Sequence, residues 1–332
     1  MATIIHPTAV VDSGAVIGDN CIVGPFCNIG PKVVLGNNVN LVSNVTINGK
    51  TSVGDDSVVY PFAVLGQSRI FSRKSLSIGK RCKIREYVTI GDRTVMGDDC
   101  QIGVNSHIGH NCKIGKNVVL SNLVRVVGNV EIEDNVVLSG NIIVLDFLHI
   151  GCNAFVAGMT IVDNDVVPYS FYETIGGCAL YRTINNVGLQ RCGFKDNDIQ
   201  AIQKVYSSVF GYRVDNSLLF DNLSKISEEV KDNNYAMYAI DFIKNSFRRG
   251  KLKTEKWSRH QYKIGKWVNC ADLQNDGATV EDLNLFYDVF NSVCHNDNAY
   301  RGCLNDICEE AKNNKYAMDL IDFIENRSRR GR

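Results

Sequence analysis

A six-residue step governs the first half of this chain of 332 residues. Aliphatic side chains stand at Val11, Ile17, Val23, Ile29, Leu35, Leu41, Ile47, Val53, Val59 and Leu65. After a gap of thirteen residues the series resumes at Ile78 and keeps its step through Ile84, Ile90, Met96, Ile102 and Ile108 to Val162. An amphipathic helix cannot produce this, because its apolar stripe recurs at about 3.6 residues. A period of six suits short strands joined by tight turns, with one large aliphatic residue per rung facing inward. Hexapeptide repeats of that kind specify a parallel β-helix. Glycine often follows the aliphatic residue, as at Gly18, Gly24, Gly30, Gly36, Gly54 and Gly66, which predicts corners with positive φ. Small residues four places after it, such as Cys21, Cys27, Ser57 and Ala63, are expected to fill the remaining inward space.

The repeat ends near Asp163, and Val167-Pro168-Tyr169 reads as its exit. Residues 170–184 are expected to form a loop or short strands. Helical patterns follow. Asp196 or Asn197 can cap a helix that carries Ile199, Ile202, Val205, Tyr206 and Val209 on one face. Two more helices are expected, from about Ser217 to Val230 and from Asn234 to Phe247. The chain then repeats itself. Tyr235-Ala236-Met237 with Ile240-Asp241-Phe242-Ile243 matches Tyr316-Ala317-Met318 with Ile321-Asp322-Phe323-Ile324, and Arg248-Arg249-Gly250 matches Arg329-Arg330-Gly331. The expected organisation is a β-helix over 1–184, a helical region over 185–252, a basic linker over 253–267 and a second copy of the helical unit over 268–332. The stretch 248–266 holds eight Lys and Arg against Glu255 alone. It reads as a solvated linker or as a docking patch for an acidic protein.

Lys plus Arg and Asp plus Glu both number 36, so net charge gives no argument for nucleic acid or a membrane surface. No run of about 18 apolar residues is present, so no membrane span is expected. Met1 to Val11 lack a basic region followed by an apolar stretch, so no signal peptide is expected and the cytoplasm is the default compartment. The twelve cysteines include no CxxC pair. Their spacing does not suit zinc, and several share one phase of the repeat, which makes them small inward residues.

Two of the six histidines lie three residues apart, in Val104-Asn105-Ser106-His107-Ile108-Gly109-His110-Asn111-Cys112. They flank the inward Ile108, so both imidazoles are expected near the outer wall. An outward, partly buried histidine can act as a general base on an alcohol held in a groove. It can equally be a satisfied surface or interface histidine. His149 also precedes an inward rung, but has no second histidine nearby and reads as structural. Nothing suggests a Ser-His-Asp triad or a phosphate loop.

With the helical tail Asn185 and Gly188-Leu189-Gln190-Arg191-Cys192-Gly193-Phe194, these features resemble the UDP-N-acetylglucosamine 3-O-acyltransferases, which begin lipid A synthesis. The opening His6-Pro7-Thr8-Ala9, followed by Ile22-Val23-Gly24-Pro25-Phe26-Cys27, is similar too. The resemblance covers about residues 1–252. It implies a homotrimer of left-handed parallel β-helices, each followed by an α-helical C-terminal region, with active sites between subunits. It further implies that the 3-OH of UDP-N-acetylglucosamine attacks a (3R)-hydroxyacyl thioester on acyl carrier protein, with no cofactor and no metal. By match, His110 is the general base and the Gly128 N–H stabilises the oxyanion. His107, Asn122, Gly140, Asn185 and Arg191 match substrate-binding positions, and Gly158 matches a position that sets acyl chain length.

The chain departs from the family's pattern in places. Gly91, Asn129 and Leu145 replace histidines, and Asn111 follows His110 where aspartate is common. Val187 replaces an acidic residue. The stretch from Gln67 to Ser77 is short, with Arg73 or Lys74 expected to supply its cation. A second loop expected after Ile90 is missing, since the repeat runs straight through Met96. Two other readings stay open: a non-catalytic trimeric scaffold that binds carrier protein or nucleotide-sugar, and a sugar N-acyltransferase on the same fold. Retention of His110 and Gly128 favours the O-acyltransferase.

Overall fold

The computed structural model describes residues 2–67, 75–175, 178–210 and 219–252, all within the first of the chain's two units, Met1–Lys256. The basic linker, the second helical copy and Lys74 lie outside the described residues. Each hexapeptide forms a short strand and a corner, and three hexapeptides close one coil. Strands pair in parallel eighteen residues apart, as Thr89 with His107 and His107 with Arg125. The result is a three-sided parallel β-helix. Outward side chains on its first face include Val119, Val137 and Phe155. Thr89, His107 and Arg125 stand on the second face, and Lys113, Glu131 and His149 on the third.

The inward positions make the core. Ile102, Ile108, Leu120 and Val126 are buried, and Cys100, Ser106 and Cys112 fill the space between them. Each large aliphatic rung contributes about 1.5–3 kcal/mol by burial. Coils are joined by backbone bonds, such as Gly109 N–H to Val126 O at 2.8 Å and Asn129 N–H to His110 O at 2.9 Å.

Of the glycines expected at corners of positive φ, Gly66 has it, at 74°, while Gly18, Gly24, Gly30, Gly36 and Gly54 do not. Positive φ falls three residues after most rungs, on non-glycine residues such as Asn105, Asn111 and Asn129, with φ of 57°, 57° and 60°. Asparagine tolerates that region better than most residues. The glycine beside the rung is needed instead because successive coils touch there. A Cβ at Gly24 would lie 1.8 Å from Val42 O, and one at Gly109 would lie 2.2 Å from Val127 O.

The gap in the repeat is one enlarged step. Ile78 pairs with Val53, while Leu65 pairs with Ile47 and Ile90. The pairing offset grows from eighteen to twenty-five residues across the break and then returns.

Beyond the coils, the second of the two forms expected for residues 170–184 is present, as the strands Ser170–Ile175 and Cys178–Ile184 paired in an antiparallel hairpin. The hairpin continues the last coils, with Phe155 paired to Phe171. Among the described residues four helices follow: α1 (Asn186–Arg191), α2 (Asp196–Val209), α3 (Leu219–Val230) and α4 (Asn234–Arg248). The short α1 has no apolar periodicity to announce it. The N-cap of α2 is Lys195, which gives no side-chain cap bond, and Asp196 and Asp198 lie in the first turn. There they favour the positive end of the helix dipole. Tyr206 of α2 donates to the Pro168 carbonyl and so fastens the helices to the coil exit. Among the described residues no helix is long and apolar enough to cross a membrane.

Candidate active site

The rung Ile108 fixes the strand His107–Ile108, and the chain then turns the edge between the second and third faces through Gly109, His110 and Asn111. His107 is exposed on the second face, with Nδ1 2.6 Å from Thr89 Oγ1 on the preceding coil. His110 is half-buried at the edge itself. Gly128 holds the same edge position one coil later. A Cβ on Gly128 would lie 2.7 Å from His110 Cε1 and 3.0 Å from Nε2. The imidazole therefore rests on the glycine backbone, and any side chain at 128 would displace it. The Gly128 N–H donates to no acceptor among the described residues, so a histidine ring and a free backbone donor meet at one point. The replacements beside them are occupied or turned outward. Asn111 Nδ2 donates to Asn129 Oδ1 at 2.8 Å, and Leu145 is exposed.

Asn122, Gly140 and Gly158 stack on three successive coils at the edge between the first and second faces. Asn122 Oδ1 accepts from Val104 N–H at 2.9 Å. A Cβ at Gly158 would lie 2.8 Å from Gly140 O. That position therefore has a packing reason to be glycine, whatever lies outside it.

Asn185 and Arg191 belong to a third cluster, a groove of about 570 Å³ over the first face. Val137 and Phe155 give it an apolar floor, and Asn135, Asn153, Thr183 and Arg191 supply polar groups. Asn185 caps α1 by accepting from Gly188 N–H at 3.1 Å and donates to Asn153 O at 3.0 Å, so it also holds the groove wall in place. Asn153 is buried, and its Oδ1 has no hydrogen-bond partner among the described residues. Asn153 and Phe155 were not singled out by sequence reasoning. Their signal was register alone: Asn153 follows Asn135 by one coil.

The expected site residues thus fall into separate clusters on one chain. His110 does not line the groove that holds Arg191.

His149 is built differently. Its Nε2 donates to Glu133 Oε1 at 2.7 Å, and its ring lies 4.6 Å from that of Phe242 in α4. Tyr238 of α4 donates to the same oxygen, and Cys152 N–H donates to Glu133 Oε2 at 2.8 Å. Burial pushes the Glu133 carboxyl up, but hydrogen bonds from His149, Tyr238 and Cys152 outweigh it and hold the group below its ordinary value. Burial and the Glu133 contact push the Tyr238 phenol up.

Comparison with known proteins bears on the family to which the fold belongs. The family profile described as UDP-N-acetylglucosamine O-acyltransferase, domain 2, matches residues 165–251, and the bacterial transferase hexapeptide profile matches 14–49 and 93–128. An acyl-[acyl-carrier-protein]–UDP-N-acetylglucosamine O-acyltransferase of Agrobacterium fabrum is 37% identical over 218 residues, covering 62% of this chain and 80% of the relative. The match to the enzyme of that name from Rhizobium rhizogenes is 39% identical over 100 residues, and the chain spans only 35% of that relative's length. Among solved structures, the Francisella novicida UDP-N-acetylglucosamine acyltransferase aligns with a TM-score of 0.68 and 32% identity, over 74% of this chain and 92% of its own. The Bacteroides fragilis UDP-N-acetylglucosamine acyltransferase aligns with a TM-score of 0.68 and 28% identity, over 73% and 98%. With the hexapeptide repeat and the helical tail both matched, the chain belongs to the acyl-[acyl-carrier-protein]–UDP-N-acetylglucosamine O-acyltransferases of the hexapeptide-repeat superfamily.

Proposed function

We propose that this protein moves a (3R)-hydroxyacyl group from acyl carrier protein to the 3-OH of UDP-N-acetylglucosamine. The observation that carries this reading is the seating of the His110 ring on Gly128. The imidazole removes the proton of the sugar hydroxyl as that oxygen attacks the thioester carbonyl. The Gly128 N–H donates to the oxyanion that forms, a contribution of about 3 kcal/mol to the barrier. The pantetheine thiolate of the carrier leaves with a proton returned by His110. His107, Asn122 and Gly140 flank the acceptor, Gly158 lies along the acyl chain, and Asn185 and Arg191 hold the nucleotide in the groove. Lys74 adds a cation for the diphosphate.

Because these clusters lie on different parts of one chain, the working site forms where copies pack together, in a homotrimer. Carrier protein is acidic, so the basic residues of 248–266, and Arg191 beside its nucleotide role, suit its docking by charge. The compartment is the cytoplasm. The test is acyl transfer from hydroxyacyl carrier protein to UDP-N-acetylglucosamine across several acyl lengths, with wild type compared to His110→Ala. Transfer by wild type alone supports the reading; equal rates sink it.

A further inference from the structure

We propose that Asp92 is the positioning residue for His110, accepting a hydrogen bond from its Nδ1–H and so leaving Nε2 as the basic atom. This rests on reading His110 as the general base. An imidazole used as a base needs one nitrogen pinned as a donor so that the other carries the lone pair, and it needs an anion nearby once it becomes an imidazolium. The residue next in sequence, Asn111, does neither. It is uncharged, and its Nδ2 is given to Asn129 Oδ1.

Asp92 stands in the same edge column as His110, one coil earlier. Ile90 pairs with Ile108, and Asn111 N–H donates to Asp92 O at 3.1 Å, which fixes that register. Stacked strands are about 4.8 Å apart. In this protein that offset brings outward side chains into hydrogen-bond range: Thr89 Oγ1 lies 2.6 Å from His107 Nδ1, and Asn111 Nδ2 2.8 Å from Asn129 Oδ1. Asp92 is only 6% exposed, and its Oδ2 has no hydrogen-bond partner among the described residues. Its Oδ1 has Arg93 Nε at 3.8 Å, an ion-pair distance rather than a hydrogen bond. A buried carboxylate oxygen left without a donor is costly and calls for a partner. The His110 ring, which makes no hydrogen bond among the described residues while it rests on Gly128, is the donor stacked beside it.

The test is ¹⁵N NMR of the histidine-labelled full-length protein, read alongside steady-state kinetics. His110→Ala identifies the resonance. In the wild type the neutral His110 ring is expected to carry its proton on Nδ1. In Asp92→Asn the side-chain amide can donate instead, and the proton moves to Nε2. The same variant lowers kcat about 10-fold or more and leaves KM within about 2-fold. Adding Asn111→Asp in that background restores part of kcat by returning a carboxylate to the neighbourhood. Asp92→Ser serves if the asparagine variant does not assemble. An unchanged tautomer in either variant overturns the proposal, as does an unchanged kcat. The tautomer is measured without substrate, so it decides the Asp92 contact even if His110→Ala keeps wild-type turnover, a result that would remove the base assignment instead.

Discussion

His110 and His149 occupy the same kind of scaffold, yet the chain treats them in opposite ways. His149 is enclosed: Glu133 accepts from it, Phe242 lies against it, and Tyr238 completes the cluster from α4. Its hydrogen bond to Glu133 lies within the β-helix, and its ring contact with Phe242 reaches α4. His110 sits at an edge on a glycine, beside a backbone donor that has no acceptor, with no hydrogen bond to its ring among the described residues. In this fold a histidine satisfied by its own chain is a fastening. One left unsatisfied beside a bare N–H is available for chemistry.

The sharpest way to break that contrast is to remove each ring in turn. His110→Ala should lower kcat about 10³-fold, the range lost with a general base, and leave the melting temperature unchanged. His149→Ala should do the reverse. Loss of a partly buried, hydrogen-bonded partner of Glu133 costs about 3 kcal/mol in denaturant unfolding, while the transfer rate stays near wild type. Similar activity losses in both would erase the distinction.

Gly128→Ala keeps the backbone donor but pushes the ring away. It should cost about 10²-fold in kcat and little stability, because the atom it meets belongs to a movable side chain. Arg191→Ala should raise KM for the nucleotide-sugar about 10-fold at nearly constant kcat, as expected for one charge-assisted contact. The smallest effect is acid sensitivity on the His149 side. Glu133 is held below its ordinary value of 4.5, so its contribution to stability is complete above that pH and fades as pH falls through the lower folded value. Urea midpoints should drop between about pH 5 and 3 in wild type, and the drop should be shallower in Glu133→Gln. An equal slope would mean that Glu133 is not the group that titrates.

Much of this was legible before the structure. The rungs from Val23 to Val162 are buried as the six-residue step requires, since inward positions admit little besides aliphatic and small residues. The edge histidine was legible because it interrupts a monotonous pattern. The purpose of the glycines was not: Gly24 and Gly109 are set by the carbonyl of the next coil, a contact eighteen residues away that local turn preference cannot reveal. At 170–184 the sequence left loop and short strands open, because these strands lean on the last coils for their pairing. Asp92 and Asn153 were missed because the six-residue step marks a corner without telling which side chains of stacked coils meet there, and only stacking shows that.

The most direct test of the central claim, that one reaction centre is completed between copies, is subunit mixing. His110→Ala and Arg191→Ala chains are unfolded together, reassembled at equal ratio, and assayed for transfer at substrate levels below KM. Random mixing should return about a quarter of the wild-type rate, well above the average of the two separate variants, because a mixed assembly places an intact His110 beside an intact Arg191 from its neighbour. A rate equal to that average would show that each chain carries a complete site of its own.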